Sequence, residues 1–298
     1  MYNQISEIMG EHKSPYTILF MSIAASTALS ALTYPVPEGQ TYARAVSLPD
    51  FPGIAGPAAI DDGEDIPQGA IAYHPVFGSI IYGRTWWGFS TRDFIRRLKT
   101  ADADPRVAAH LIHVDSCGGE AFGCHEAFEA VRDLTKPCWA VCESMCASAA
   151  YYLACAADRV LAISPHSQLG SIGTMCTMFN DSEWLRQNGF KELEYYSNLS
   201  SLKNKVFNDA LDGRGDEFVS RFLDPLAAAF IADVASVRRS VEEGSDAFRG
   251  EVYYAGQAQE LGLIDGIQPL DSALEQLAAL VKPKEPSVNI NQINFSLQ

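Results

Sequence analysis

The residue whose chemistry would matter most in this chain is Ser148, in the segment ESMCASAAYY (Glu143 to Tyr152), where its hydroxyl stands between small residues at the start of a helix. A serine between alanines usually serves only to let two backbones pack closely, so the surrounding segments must decide. Upstream, VAAHLIHVDSCGGEAFG (Val107 to Gly123) reads as a buried strand, a Gly-Gly turn and a helix start. Paired glycines let the main chain come close to a bound carbonyl and aim N–H groups at it, as a tetrahedral oxyanion requires. Gly118 and Gly119 are therefore candidate oxyanion-hole residues, although the segment alone is equally an ordinary strand-to-helix turn. Downstream, SPHSQLGSIGT (Ser164 to Thr174) is a third small-residue loop, following the apolar run Arg159 to Ile163. Three such loops, each after a strand, would gather at one edge of a sheet, where open α/β folds place their sites.

A serine nucleophile needs a base. Of the six histidines, only His166 sits in a loop near Ser148, 18 residues further on. His110 and His113 are three apart on a strand pattern and so point to opposite faces. No HExxH occurs, and neither Cys142 with Cys146 nor Cys117 with Cys124 has a matching second pair, so neither a metal nor a cofactor is expected. Cys146, two residues before Ser148, has no histidine at a spacing that favours cysteine catalysis.

The order DSCGG, SMCASAAYYLA, GSIGT resembles the signal peptide peptidase A family of serine peptidases, including its phage head-maturation branch, which is distantly similar to ClpP. FRGEVYYAGQAQELGLIDGI (Phe248 to Ile267) resembles that family's closing motif, in which G-x-x-(Y/W)-x-(A/G)-x-x-A leads to G-L-(I/V)-D. The resemblance covers about residues 69 to 280. It implies an α/β fold of ClpP/crotonase type, a ββα superhelix with a mainly parallel sheet. It also implies a Ser/Lys dyad, in which a neutral amine takes the serine proton; such an amine must be desolvated or set near positive charge. Family members carry this lysine about 50 residues after the serine, which points to Lys203, 55 residues beyond Ser148 in SSLKN and just after the strand-like run ELEYY. The familiar G-x-x-K form is absent, so Lys205 stays open as the base, as does His166 by analogy with the Ser, His, Asp sites of ClpP-type peptidases.

Composition fits this reading. With 298 residues, 47% of them hydrophobic, the chain can bury one substantial core, and a net charge of −15 argues against nonspecific nucleic-acid binding. All seven cysteines fall between 117 and 176, an odd number inside the core, which reads as free thiols in a reducing compartment. Ser14 to Pro35 lacks charge but is diluted by Ser and Thr and preceded by Glu7 and Glu11, so a buried or interface helix is expected there rather than a leader or anchor. The expected organisation is an N-terminal helical segment (1–35), an acidic Pro/Gly linker (36–68), the peptidase domain (69–281) and a polar, disordered tail (282–298).

Within the domain, GAIAYHPVFG reads as a strand and Ser90 to Asp102 as a helix capped by Ser90. Val107 to Val114 is a strand, Ala121 to Leu134 a helix and Cys138 to Cys142 a central strand. A helix from Ser148 to about Ala156 would let the Ala149 amide join Gly119 in the oxyanion hole, and strands and helices should alternate through Ser197. Asp216 to Arg239 is a long amphipathic run, with a bend expected at Pro225 and a stripe of Phe222, Leu226, Phe230 and Val234 available to a neighbouring subunit. Asp271 to Val281 reads as a closing helix.

The resulting expectation is a homo-oligomeric serine endopeptidase acting on scaffold and capsid proteins in an assembling phage head, in the host cytoplasm. The competing expectations are a membrane-associated signal peptide peptidase, an inactive scaffold protein on the same fold, and, least favoured, an acyl-CoA binder.

Overall fold

The fold is described from a computed structural model at residues 54–55, 57–63, 66–83, 89–191 and 193–281. The apolar run at Ser14 to Pro35, most of the acidic stretch before residue 68 and the polar tail lie outside the described residues.

In chain order the elements are β1 (Ile54–Ala55), α1 (Pro57–Asp62), β2 (Ala70–Ile81), β3 (Phe89–Ser90), α2 (Thr91–Ala103), β4 (Val107–Gly119), α3 (Cys124–Arg132), β5 (Cys138–Ala147) and α4 (Ala149–Ala154). They continue with β6 (Arg159–Ala162), β7 (Gln168–Gly170), α5 (Ser182–Gln187), α6 (Lys205–Leu211), α7 (Asp216–Phe218), a π-helical turn (Val219–Leu223) and α8 (Asp224–Val237). A 3₁₀ turn (Asp246–Arg249), β8 (Val252–Tyr254), α9 (Ala255–Glu260), β9 (Gly266–Ile267) and α10 (Leu270–Val281) complete the described chain.

The sheet runs β1-β2-β4-β5-β6-β9 with every neighbouring pair parallel, β3 beside the end of β2 and β7 beside the end of β5; only β8, on β7, is antiparallel. This is the expected α/β architecture with a mainly parallel sheet. A sheet covered on both faces needs strands that are apolar throughout. The β4 run from Val107 to Val114 is apolar apart from His110 and His113, and only Ala108 falls short of full burial. One face packs α2, α3 and α4 through Phe94, Leu98, Phe128 and Tyr151, and the other carries α10 through Ala273, Leu274 and Leu277 on Leu111, Trp139 and Leu161. Each fully buried Leu or Phe contributes about 1.5 to 3 kcal/mol, so these two layers rather than local propensity hold the sheet.

Local signals set the boundaries. Ser90 Oγ accepts the Asp93 N–H at 3.2 Å and starts α2, whose Phe94, Leu98 and Ala101 line its buried face. Ile54–Ala55 pairs with Ile71–Ala72, and Asp61 of α1 is held by Arg96 and Arg97 of α2, so the end of the acidic stretch docks on the sheet. At Pro225, where a bend is expected, the helix carries a π turn. A proline supplies no N–H to the turn before it, and here the helix shifts register: the Asp224 N–H reaches back to Val219 O, and the helical path continues from Asp216 to Val237. Phe230 and Val234 of the expected stripe are buried in the chain's own core, Leu226 is half-buried, and Phe222 is exposed. Alternation of strand and helix stops after β7. Residues 193–196 of ELEYY form no strand, because Leu193 and Tyr195 lie in solvent with no partner strand beside them.

Three histidines are sealed in the sheet, on opposite faces as the strand spacing requires. His74 Nε2 lies 3.1 Å from His110 Nδ1, and His110 Nε2 lies 3.3 Å from Asp102 Oδ1, a chain satisfied by one proton on each Nε2. On the other face His113 Nδ1 meets the Tyr73 hydroxyl at 3.0 Å, and its Nε2 faces Glu143 at 3.4 Å without a hydrogen bond. Burial holds His74 well below the usual imidazole value and lowers His110 and His113 to about 4, outweighing the carboxylates nearby. Because these bases bind protons more weakly folded than unfolded, their stability is fully present above the unfolded value of about 6.5 and is lost as pH falls toward 4. Half-exposed His125, raised by Asp233, acts in the opposite sense but is screened by solvent. The melting temperature is therefore expected to hold a plateau above about pH 7 and to fall between about pH 6.5 and 5, before most carboxylates take up protons. A flat melting curve through that window would contradict the buried neutral histidines.

Candidate active site

Central strand β5 ends at Ala147, and the chain turns at Ser148 directly into α4. That turn gives Ser148 φ 55° and ψ −125°, a conformation that side chains rarely adopt. It is fixed from both sides. The Ser148 N–H donates to Gly170 O at 2.8 Å, and Ser148 O accepts the Tyr152 N–H at 2.9 Å, the first bond of α4. Ser148 is 3% exposed, and among the described residues its hydroxyl has no hydrogen-bond partner.

Gly118 abuts it. A side chain there would meet Ser148 Cβ at 2.8 Å, Ala147 O at 2.9 Å and the Ala149 nitrogen at 3.0 Å, and Gly118 itself has φ +105°. A substituent at Gly119 would lie 2.0 Å from Ile80 O, so that glycine is required by close strand packing. The Glu120 N–H donates to Ile80 O at 2.9 Å. The amide of Ala149 is the first of α4 and has no acceptor within its own helix. Ser116 Oγ braces the turn, accepting the Gly118 N–H at 3.1 Å and donating to Gly78 O at 2.6 Å.

The loop after β7 closes the site. Ser171, at φ 55°, donates its N–H to Glu251 O at 2.7 Å, and β8 pairs Val252 with Gly170. The closing motif is a set of anchors behind Ser148. Leu263 O accepts the Tyr151 hydroxyl at 2.8 Å, while Asp265 accepts the Val160 N–H at 2.7 Å and pairs with buried Arg238 at 2.9 and 3.1 Å.

Among the described residues, no base is hydrogen-bonded to Ser148. His166 is exposed on the loop before β7, and that strand enters the sheet with Gln168 opposite Met145, upstream of Ser148. Lys203 is exposed in a turn, its backbone N–H on Ser200 O at 3.0 Å. Exposed Lys205 pairs with Asp209 at 2.6 Å, a bond that raises its pKa and favours the charged amine, the opposite of what a base needs. Lys136 is lowered by burial but precedes β5, at the far end of the sheet from Ser148.

Both candidate lysines belong to residues 174 to 214, an arm with hardly any core. Neither α5 nor α6 buries a residue, and Leu199, Tyr195 and Phe179 are 97, 88 and 84% exposed. The arm rejoins the body where Thr174 Oγ1 donates to Leu223 O at 2.9 Å, a carbonyl in the π turn. Sequence reading missed this contact and the Asp115 carboxylate that holds Ser144 Oγ and the Met145 N–H at the bulge before Ser148. Neither has a local motif, because each depends on pairing between distant strands and helices.

The chain is similar to several curated proteins. It is 28% identical over 266 residues to capsid assembly protease C of Escherichia phage lambda, covering 83% of this chain and 58% of that one. It is 27% identical over 215 residues to a head-tail preconnector protein of Enterobacteria phage P21, covering 70% and 42%, and 26% identical over 206 residues to a protein named for signal peptide peptidase SppA in Enterococcus faecium, covering 63% and 56%. The chain thus spans about half the length of these relatives. Among the described residues no helix is long and apolar enough to cross a membrane. The model of Peptidase family S49 matches residues 130–284, a span that includes Ser148, both candidate lysines and the anchors behind them, and the chain belongs to that family.

Proposed function

We propose that this chain is a serine-type endopeptidase in which Ser148 is the nucleophile and Lys203 the base. Ser148 Oγ attacks the peptide carbonyl carbon while the neutral amine of Lys203 takes its proton. The negative oxygen is received by the amides of Gly119 and Ala149. The proton then passes to the leaving amine as the C–N bond breaks, and water, deprotonated by the same amine, hydrolyses the acyl-enzyme ester. The observation that carries this reading is the conformation of Ser148: a strained turn at the tip of the central strand presents a hydroxyl with no hydrogen-bond partner among the described residues, beside Gly118, where any side chain would intrude.

The bare apolar surface of the arm supports assembly into a homo-oligomer, because exposed Leu199, Tyr195 and Phe179 need a partner surface. Burial there would also strip water from Lys203, the condition under which an amine becomes a base. Similarity to the phage capsid assembly protease over 83% of the chain supports capsid and scaffold proteins as substrates, cut in an assembling head within the host cytoplasm. The relative named for signal peptide peptidase supports a second reading, cleavage of signal peptides at a membrane. Recovery of the full chain only with membranes would favour that second reading.

Two outcomes test the proposal. In the purified full chain, Ser148→Ala and Lys203→Ala should each lower cleavage of a peptide or casein substrate by about 10³-fold or more, while Lys205→Ala retains most activity. Activity that survives Ser148→Ala would remove the peptidase assignment, and loss in Lys205→Ala alone would move the base by two positions. Strain at Ser148 has its own signature. Ser148→Gly should unfold at higher denaturant than Ser148→Ala, by about 1 to 2 kcal/mol, since glycine adopts this φ/ψ without cost. Equal stability of the two variants would mean the turn is unstrained.

A further inference from the structure

We propose that Asp233 is a positioning residue for the Ser148 site, its carboxylate fixing the register between the helix that follows the nucleophile and the helix from which the lysine-bearing arm extends. The inference rests on the Ser/Lys reading above and adds the part of the body that aims the arm.

Tyr152 joins the two helices. Its N–H donates to Ser148 O at 2.9 Å, so its position and that of the nucleophile are set together. Its ring lies parallel to Phe230 of α8, with centroids 4.2 Å apart and planes at 13°. Its hydroxyl donates to Asp233 Oδ2 at 2.5 Å. The same oxygen receives His125 Nδ1 at 2.7 Å, from α3 on the solvent side, with Glu129 3.8 Å from His125 Nε2. One carboxylate thus ties α3, α4 and α8 together. Any carbonyl could satisfy a tyrosine hydroxyl, but a carboxylate makes the bond charge-assisted and roughly twice as strong.

The apolar contacts of Phe230 and Val234 hold α8 on the body but do not by themselves fix its rotation or its position along the axis. The directional bonds to Asp233 do, together with those of Arg238, at the far end of the helix, to Asp265 and Gly262 O. Toward its N-terminus α8 continues through the π turn into α7, with α6 and both candidate lysines ahead of it. A slip of α8 by one turn would carry the arm about 5.4 Å, whereas proton transfer requires heavy atoms about 2.6 to 3.2 Å apart. Thr174 on Leu223 O is the second fixed point, from the loop that closes the site. Asp233 and Thr174 together make the arm's root a rigid extension of the turn at Ser148.

The test uses the full chain, with active serine titrated by a fluorophosphonate whose labelling is absent in Ser148→Ala. Tyr152→Phe removes only a hydroxyl; it should keep the melting temperature near wild type yet lower kcat per titrated serine by roughly tenfold, with KM within about twofold. Asp233→Ala should lose at least as much, and Asp233→Asn, which still accepts the tyrosine hydroxyl, should retain more than Asp233→Ala. A purely structural role would reduce the titratable fraction and leave kcat per titrated serine unchanged. That result in Tyr152→Phe overturns the assignment of Asp233 while leaving the dyad intact. Cleavage that survives Ser148→Ala overturns the dyad and the positioning role with it.

Discussion

The structure depends on one backbone constraint, the turn that holds Ser148 at φ 55° between the last residue of β5 and the first of α4. That conformation costs about 1 to 3 kcal/mol and persists only where its surroundings over-determine it. Here they do. Gly170 O takes the Ser148 N–H, Gly118 leaves room that no side chain could leave, and Tyr151 and Tyr152 lock α4 from behind through Leu263 O and Asp233. Each support comes from a different segment of the chain.

The body and the arm obey opposite rules. In the body the strands are apolar on both faces, and even three histidines are carried neutral in the interior. In the arm, Leu199, Tyr195 and Phe179 are left in water and the candidate lysines stand exposed. A base must be dehydrated to lose its proton at neutral pH, and among the described residues Lys203 lies exposed. The division makes sense if the nucleophile is prepared within the chain and the base is prepared only when the arm is covered.

The order of elements around Ser148 was legible in the sequence. The β4 run, the Ser90 cap and the helix after Ser148 all have local causes and occupy their expected places, whereas Gly118 and Gly119, expected in a turn, extend β4 beside β2. Other features were not legible. ELEYY has the composition of a strand, but a strand needs a neighbour and Leu193 and Tyr195 have none. The π turn at Pro225, with Thr174 on the carbonyl of Leu223, has no local sequence signal. The roles of Asp233 and Asp115 come from contacts between residues 81 and 30 positions apart, which no local pattern encodes. Lys205 matched by spacing about as well as Lys203, which the resemblance of SSLKN favoured, and the ion pair of Lys205 with Asp209 is a structural difference between them.

The most direct measurement of the central claim is the position of the covalent intermediate. The full chain would be mixed with a slowly deacylating ester substrate, quenched in acid and mapped by mass spectrometry. The account predicts one acyl group per active chain, on the peptide containing Ser148 and bonded to its oxygen. An acyl group on Cys146, Cys117 or any other side chain, with Ser148 unmodified, would contradict it.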